Sequence, residues 1–244
     1  MLAVATLTGQ AIDRASLEAM TLARSVAAEL GSPLEVVLVA DAGAARAAAG
    51  SLGGRGVATA VVPEHDGLTT DHPDGWAAAI AGVAEARGAA AAIGPGTERG
   101  NDLLARVAVR LDVPLAANCL TVATGERYRL SRQRWAGSLI EECWLDAPVA
   151  VMSVAPNTVP IPAADATAAP AVTALPVTLT DADLAVHVTS REAPERGTIS
   201  LGDAKVVVGG GRGVGSSEGF AELEELAGLL GGAVGGSRVV TSAG

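Results

Sequence analysis

The stretch Leu34-Glu35-Val36-Val37-Leu38-Val39-Ala40 limits the fold more than any other part of the chain. A nearly unbroken β-branched run this short, closed off by Pro33 before it and Asp41 after it, fits a strand buried on both faces, and parallel sheets covered by helices are where such strands occur. Related runs recur between amphipathic stretches. Leu2 to Leu7 reads as a strand, Asp13 as the N-cap of a helix ending at Gly31, and a Gly/Ala-rich helix leads into a strand from Val57 to Val62. Asp74 is placed to cap a helix through Arg87, Ala89 to Ile93 is a further strand, and Asn101 to Leu111 is helical. That alternation predicts a Rossmann-like α/β domain.

From Val113 the pattern shifts. Leu115 to Thr124, Arg127 to Gln133 and Val149 to Val154 are joined by polar turns instead of helices, which predicts an antiparallel extension of the sheet. Pro156 to Ala174 reads as irregular surface chain and Leu175 to Val188 as strand. The charged stretch 189–202 is expected to be a linker closing a first domain of residues 1–188. Beyond it come a strand from Lys205 to Val208, a glycine loop from Gly209 to Gly215, a helix from Ser217 to Leu230 and a second strand from Ala233. One β-α-β unit is too small to bury a core of its own, so residues 203–244 read as the start of a second α/β domain that docks onto the first, is completed by a partner, or is a shortened version of something longer.

Composition narrows the function. Aromatic residues make up 2% of the chain, too few for a base-stacking platform, and 17 basic against 27 acidic residues give a net charge of −10 that repels phosphate backbones and anionic membranes. No partner nucleic acid and no membrane insertion are expected. Two cysteines, Cys119 and Cys143, do not make a disulfide framework, and the opening residues lack a leader pattern, so the expected location is cytoplasmic.

Val206-Val207-Val208-Gly209-Gly210-Gly211-Arg212-Gly213-Val214-Gly215 carries the most chemistry. A strand running through glycines into a helix offers backbone N–H groups and a positive helix end to a phosphate. Strict dinucleotide spacing fails at Val214 and Ser216, there is no Walker lysine, and a tight turn needing glycine for backbone reasons fits equally well. Gly94-Pro95-Gly96-Thr97 sits at a similar strand end and is expected to be a structural turn. His65, His72, Asp66, Asp71 and Asp74 share a loop that is expected to be solvated rather than metal-bound. Neither cysteine has a partner for nucleophilic chemistry, so both are expected to be core thiols, and no hydrolase or zinc-enzyme motif is present.

Three stretches resemble the alpha subunit of electron transfer flavoproteins. Val206 to Gly213 is similar to the strand and Gly-Gly-Arg-Gly loop that opens the family's FAD domain, and Gly232-Ala233-Val234-Gly235-Gly236-Ser237-Arg238 to its Ser-Arg segment. Gly94 to Pro114, followed by Arg134-Trp135-Ala136-Gly137, is similar to the family's first-domain run and its aromatic-Ala-Gly element. The resemblance implies an electron carrier rather than a substrate-converting enzyme. In that reading Gly211, Arg212, Gly213, Ser237 and Arg238 bind FAD, Arg212 lies near the cofactor, and Ser237 and Arg238 approach its flavin end. A guanidinium there favours negative charge arriving with an electron. The implied partners are a beta subunit, flavin-containing dehydrogenases as donors, and a quinone reductase or similar acceptor. Two departures stand out: Ser242 replaces an Asp, and the family's FAD domain continues beyond the point where Gly244 ends this sequence. A different class of function also fits the sequence, that of a flavin-free assembly protein whose second domain is vestigial or completed in trans. A nucleotide-binding enzyme using Gly94 to Thr97 lacks an acid, base or nucleophile at that loop.

Overall fold

A computed structural model describes residues 1–68, 72–164, 169–190, 201 and 204–237. It divides into two compact units, Met1–Val188 and Thr189–Gly244. In the first unit β1 (Leu2–Thr8), β3 (Glu35–Val39), β4 (Thr59–Glu64), β5 (Ala91–Pro95), β6 (Leu115–Ala123), β7 (Tyr128–Arg134), β8 (Leu139–Leu145), β9 (Ala150–Val154) and β10 (Ala171–Pro176) form one sheet, and β2 (Ala11–Ile12) pairs with β1 at its end. The order is β10-β4-β3-β1-β5-β9-β6-β7-β8. Pairing is parallel from β10 through β6 and antiparallel across β6, β7 and β8. The mainly parallel α/β sheet with an antiparallel extension is therefore present, and in β3 the residues from Val36 to Val39 are buried, as the β-branched run requires.

Helices cover both faces because the strands are apolar on both. Helix α1 (Arg14–Glu29) and helix α2 (Ala42–Ala49) share a core with Ala3, Val36, Leu38, Val62 and Met152. Helix α3 (Pro73–Ala86) and helix α4 (Glu98–Arg110) bury Trp76, Ile80, Leu104 and Val107 against Val4, Val37 and Val151 on the opposite face. With so few aromatic rings the layers close on Ala, Val and Leu. The caps are polar side chains at helix starts: Asp13 accepts from Ser16 N at 2.7 Å, and Thr97 accepts from Gly100 N at 3.0 Å.

Five details differ from the sequence reading. Pro73 takes the first position of α3, where its missing N–H is no loss, so His72 rather than Asp74 is the N-cap, and the Asp74 carboxylate is bonded by Arg106 Nη1 at 2.8 Å. Strand β8 was not anticipated, since Glu141 and Glu142 interrupt its apolar pattern. Cross-strand pairing resolves this, with Arg132 Nε donating to Glu141 at 2.7 Å. Strand β9 belongs not to the antiparallel part but between β5 and β6, parallel to both, because all five of its residues are buried and only an interior position hides both faces. Finally, β10 starts at Ala171, inside the stretch expected to be irregular, and lies at the sheet edge where its proline, Pro176, is tolerated. Beyond it, Thr180 forms a capping box for the short helix α5 (Asp181–Leu184), where strand had been expected.

The second unit contains β11 (Val207–Gly210), a 3-10 turn at Arg212–Val214, helix α6 (Phe220–Leu229) and β12 (Ala233–Gly236), with β11 parallel to β12. Its Ala227 and Ala233 are buried.

Candidate functional site

The two stretches singled out in the second unit meet at one end of its sheet. Strand β11 runs into Gly211, β12 runs into Ser237, and the Ser237 N–H donates to the Gly210 carbonyl at 3.0 Å, extending the parallel ladder past Gly236. Ser237 is thereby held beside the Gly211-Arg212-Gly213 loop, although 26 positions separate it from Gly211 in the sequence (237 − 211). Arg212 opens the 3-10 turn and is exposed. Arg238 lies outside the described residues.

The glycines divide by what demands them. A Cβ on Gly210 would lie 2.5 Å from Phe220 Cε1, so that glycine is required by the packing of α6 on β11. Gly215 has φ +82, where a side chain would be strained. Gly209, Gly211 and Gly213 are different. None has a positive φ, and a Cβ on any of them meets nothing within 4 Å among the described residues. Neither backbone conformation nor internal packing accounts for glycine at these three positions, which weakens the tight-turn alternative there. Open backbone at a strand's carboxyl end is instead what a phosphate-bearing group needs for close approach. Among the described residues no backbone acceptor takes the N–H groups of Gly211, Arg212 and Gly213, which leaves donors for an oxyanion. The residues present therefore fit a dinucleotide-type cofactor such as FAD.

Two of the candidates in the His65–Asp74 loop are occupied structurally, while the buried His72 Nδ1 has no hydrogen-bond partner among the described residues. His65 Nδ1 accepts from Gly67 N at 3.0 Å, and Asp74 serves Arg106, while Asp71 lies outside the described residues. Cys119 is buried, and burial pushes its thiol up to about 12, so it stays protonated. Cys143 is half-buried. In the Gly94–Thr97 turn, Gly96 has no room for a side chain, since a Cβ would lie 2.3 Å from the Val154 carbonyl oxygen. Sequence reasoning passed over Asn101, Asn118 and Ser153, which join in one polar network at the end of β5. They belong to three elements, and no local motif links them.

An open, helix-covered α/β sheet followed by a strand–glycine loop–helix–strand unit is the plan of a protein that carries a nucleotide cofactor on its second part. Comparison with known proteins makes that specific. Residues 1–180 match the electron transfer flavoprotein domain, and residues 200–244 match the electron transfer flavoprotein FAD-binding domain. The electron transfer flavoprotein subunit alpha of Bacillus subtilis is 31% identical over 172 residues, covering 70% of this chain and 52% of the relative. That of Paracoccus denitrificans is 33% identical over 225 residues, covering 91% and 70%, and protein FixB of Clostridium saccharobutylicum is 30% identical over 239 residues, covering 96% and 70%. The chain belongs to the electron transfer flavoprotein alpha-subunit family. It spans 52% to 70% of the length of these relatives.

Proposed function

We propose that the chain is the alpha subunit of an electron carrier, holding FAD at the carboxyl ends of β11 and β12. The observation that carries this reading is the meeting of Ser237 with a glycine loop whose open backbone the protein's own packing does not explain. Gly211, Arg212 and Gly213 would supply N–H donors to the pyrophosphate, and Ser237 with Arg238 would face the flavin end. The cofactor supplies the one- and two-electron chemistry, while the protein contributes position and electrostatics. A cation beside the ring raises its affinity for an electron without any proton-transfer residue. In this reading residues 1–188 are a docking domain, 189–202 a linker, and 203–244 the opening part of the FAD-binding domain.

A beta subunit is the proposed partner, with flavin-containing dehydrogenases as donors and a quinone reductase or similar acceptor. A feature of the first unit supports such association. On β8, Ile140 and Trp144 share a face and are 57% and 59% exposed. Large apolar side chains on an edge strand are a liability unless another chain covers them. Among the described residues no helix is long and apolar enough to cross a membrane, and the reading places the complex in the cytoplasm. The test is to co-express the chain with its beta subunit and record the visible spectrum of the purified complex. Flavin bands that bleach when a reduced flavin-containing dehydrogenase is added are expected. A stable complex without flavin would favour the assembly role instead.

A further inference from the structure

The two first-domain motifs left aside by the flavin reading, Gly94 to Thr97 and Arg134 to Gly137, border one cleft of about 490 Å³. It opens at the carboxyl ends of β5 and β9, where open α/β sheets bind ligands, and its size suits a small molecule. Gly96, Asn118, Gln133, Arg134 and Trp135 are among the residues lining it.

The hydrogen bonds behind the cleft fix the direction of one amide. The Asn118 N–H donates to Ser153 Oγ at 2.8 Å, and the Ser153 hydroxyl donates in turn to Asn101 Oδ1 at 2.6 Å. Asn101 Nδ2 must then face the other way, where it donates to the Gly96 carbonyl at 3.2 Å and to Asn118 Oδ1 at 3.1 Å. With its oxygen committed to Asn101, Asn118 presents Nδ2, which has no acceptor among the described residues. A cation accompanies it. Among the described residues Arg134 is the only charged one lining the cleft, in a chain of net charge −10. Its Nε lies 3.5 Å from Glu141, but that carboxylate is already engaged by Arg132 at 2.7 Å, so two guanidiniums share one negative charge.

Backbone strain is concentrated at the same place. Of the five non-glycine residues with positive φ among those described, Asn118 (φ 59), Trp135 (φ 51) and Ala136 (φ 51) line the cleft and Asn157 (φ 62) adjoins it. Such conformations persist where the surroundings over-determine them, and they cluster at binding sites.

We infer that this cleft binds a small organic oxyanion, a phosphate ester or an ionised carboxylic acid, gripped by Asn118 Nδ2 and the Arg134 guanidinium. The inference does not rest on the flavin reading, since every residue involved lies in the first unit. Titration of the purified chain with inorganic phosphate and, separately, with citrate tests it. Calorimetry and the change in tryptophan fluorescence lost in Trp135→Phe serve as readouts. Saturable binding at millimolar or lower concentration is expected, and the tighter of the two probes tells phosphoryl from carboxylate chemistry. Arg134→Gln and the near-isosteric Asn118→Asp should each weaken binding about tenfold or more, as loss of a charge-assisted contact does. Arg134 is half-exposed at a hairpin end, so its variant keeps the test valid should Asn118→Asp fold poorly. Absence of saturable binding, or binding left unchanged by Arg134→Gln, overturns the inference.

Discussion

Ser237 and Gly210 are joined by a backbone hydrogen bond of 3.0 Å, which ties the end of β12 to the last residue of β11. Through this bond a serine far along the chain becomes part of the glycine loop's wall. The bond uses main-chain atoms, so the Ser237 hydroxyl is left for another partner.

Neighbouring glycines at the end of β11 should respond to substitution in opposite ways. Gly210→Val drives a side chain into Phe220 and Leu223 and is expected to destabilise the second unit by about 1–3 kcal/mol. A Cβ at Gly211 meets nothing within 4 Å among the described residues, so with Gly211→Val thermal melts should be unchanged while flavin absorbance of the complex is lost. Retention of flavin in Gly211→Val would remove that residue from the site.

In the proposed site Arg238 is expected to tune the flavin potential. Arg238→Ala in the flavin-loaded complex is expected to lower the potential of the first electron step by tens of millivolts, where roughly 59 mV corresponds to a tenfold change in equilibrium for one electron. Spectroscopic redox titration of both proteins measures it. Equal potentials with equal flavin content would mean that the guanidinium lies away from the ring.

Glu18 is a carboxylate at 1% exposure, and it accepts from the Asn157 N–H at 2.7 Å and from Arg14 Nε at 3.1 Å. Glu18→Ala leaves the Asn157 N–H without its acceptor and should cost about 1–3 kcal/mol in urea unfolding of the first unit. Arg14 is largely exposed, so Arg14→Ala should cost well under half as much.

Asp183 gives the first unit an acid limb. Hydrogen bonds from the Thr180 N–H and hydroxyl, both 2.8 Å, and the Arg110 guanidinium hold its carboxyl below the usual aspartate range. A depressed folded-state pKa stabilises above the unfolded value of about 3.9 and loses that contribution as pH falls through the folded value. Asp183→Asn should therefore be less stable than wild type at pH near neutral, and the gap should narrow below about pH 4. A gap constant with pH in paired melts would show that Asp183 acts without its charge.

Strand β8 was not anticipated and strand β3 was, for related reasons. In β3 every position from Val36 to Val39 is buried, so composition alone reveals the strand. In β8 the apolar pattern is broken by Glu141, whose place in a strand depends on Arg132 lying opposite it on β7. Similarly, the run at β9 was recognised as a strand, but its direction was set by an open position between β5 and β6 that only the assembled sheet creates.

The sequence by itself determined the alternation of strand and helix, the capping of α1 at Asp13, and the glycine loop before Arg212, since each rests on side-chain size, backbone freedom or a contact only a few residues away. Tertiary structure alone decided which glycines are demanded by packing and which stand open, that Ser237 reaches Gly210, and that Asn101, Asn118 and Ser153 orient one amide into a cleft. Those relationships depend on contacts between residues 27 (237 − 210), 17 and 35 positions apart. Local propensity carries no information over such distances, because they are set by the order in which strands enter the sheet.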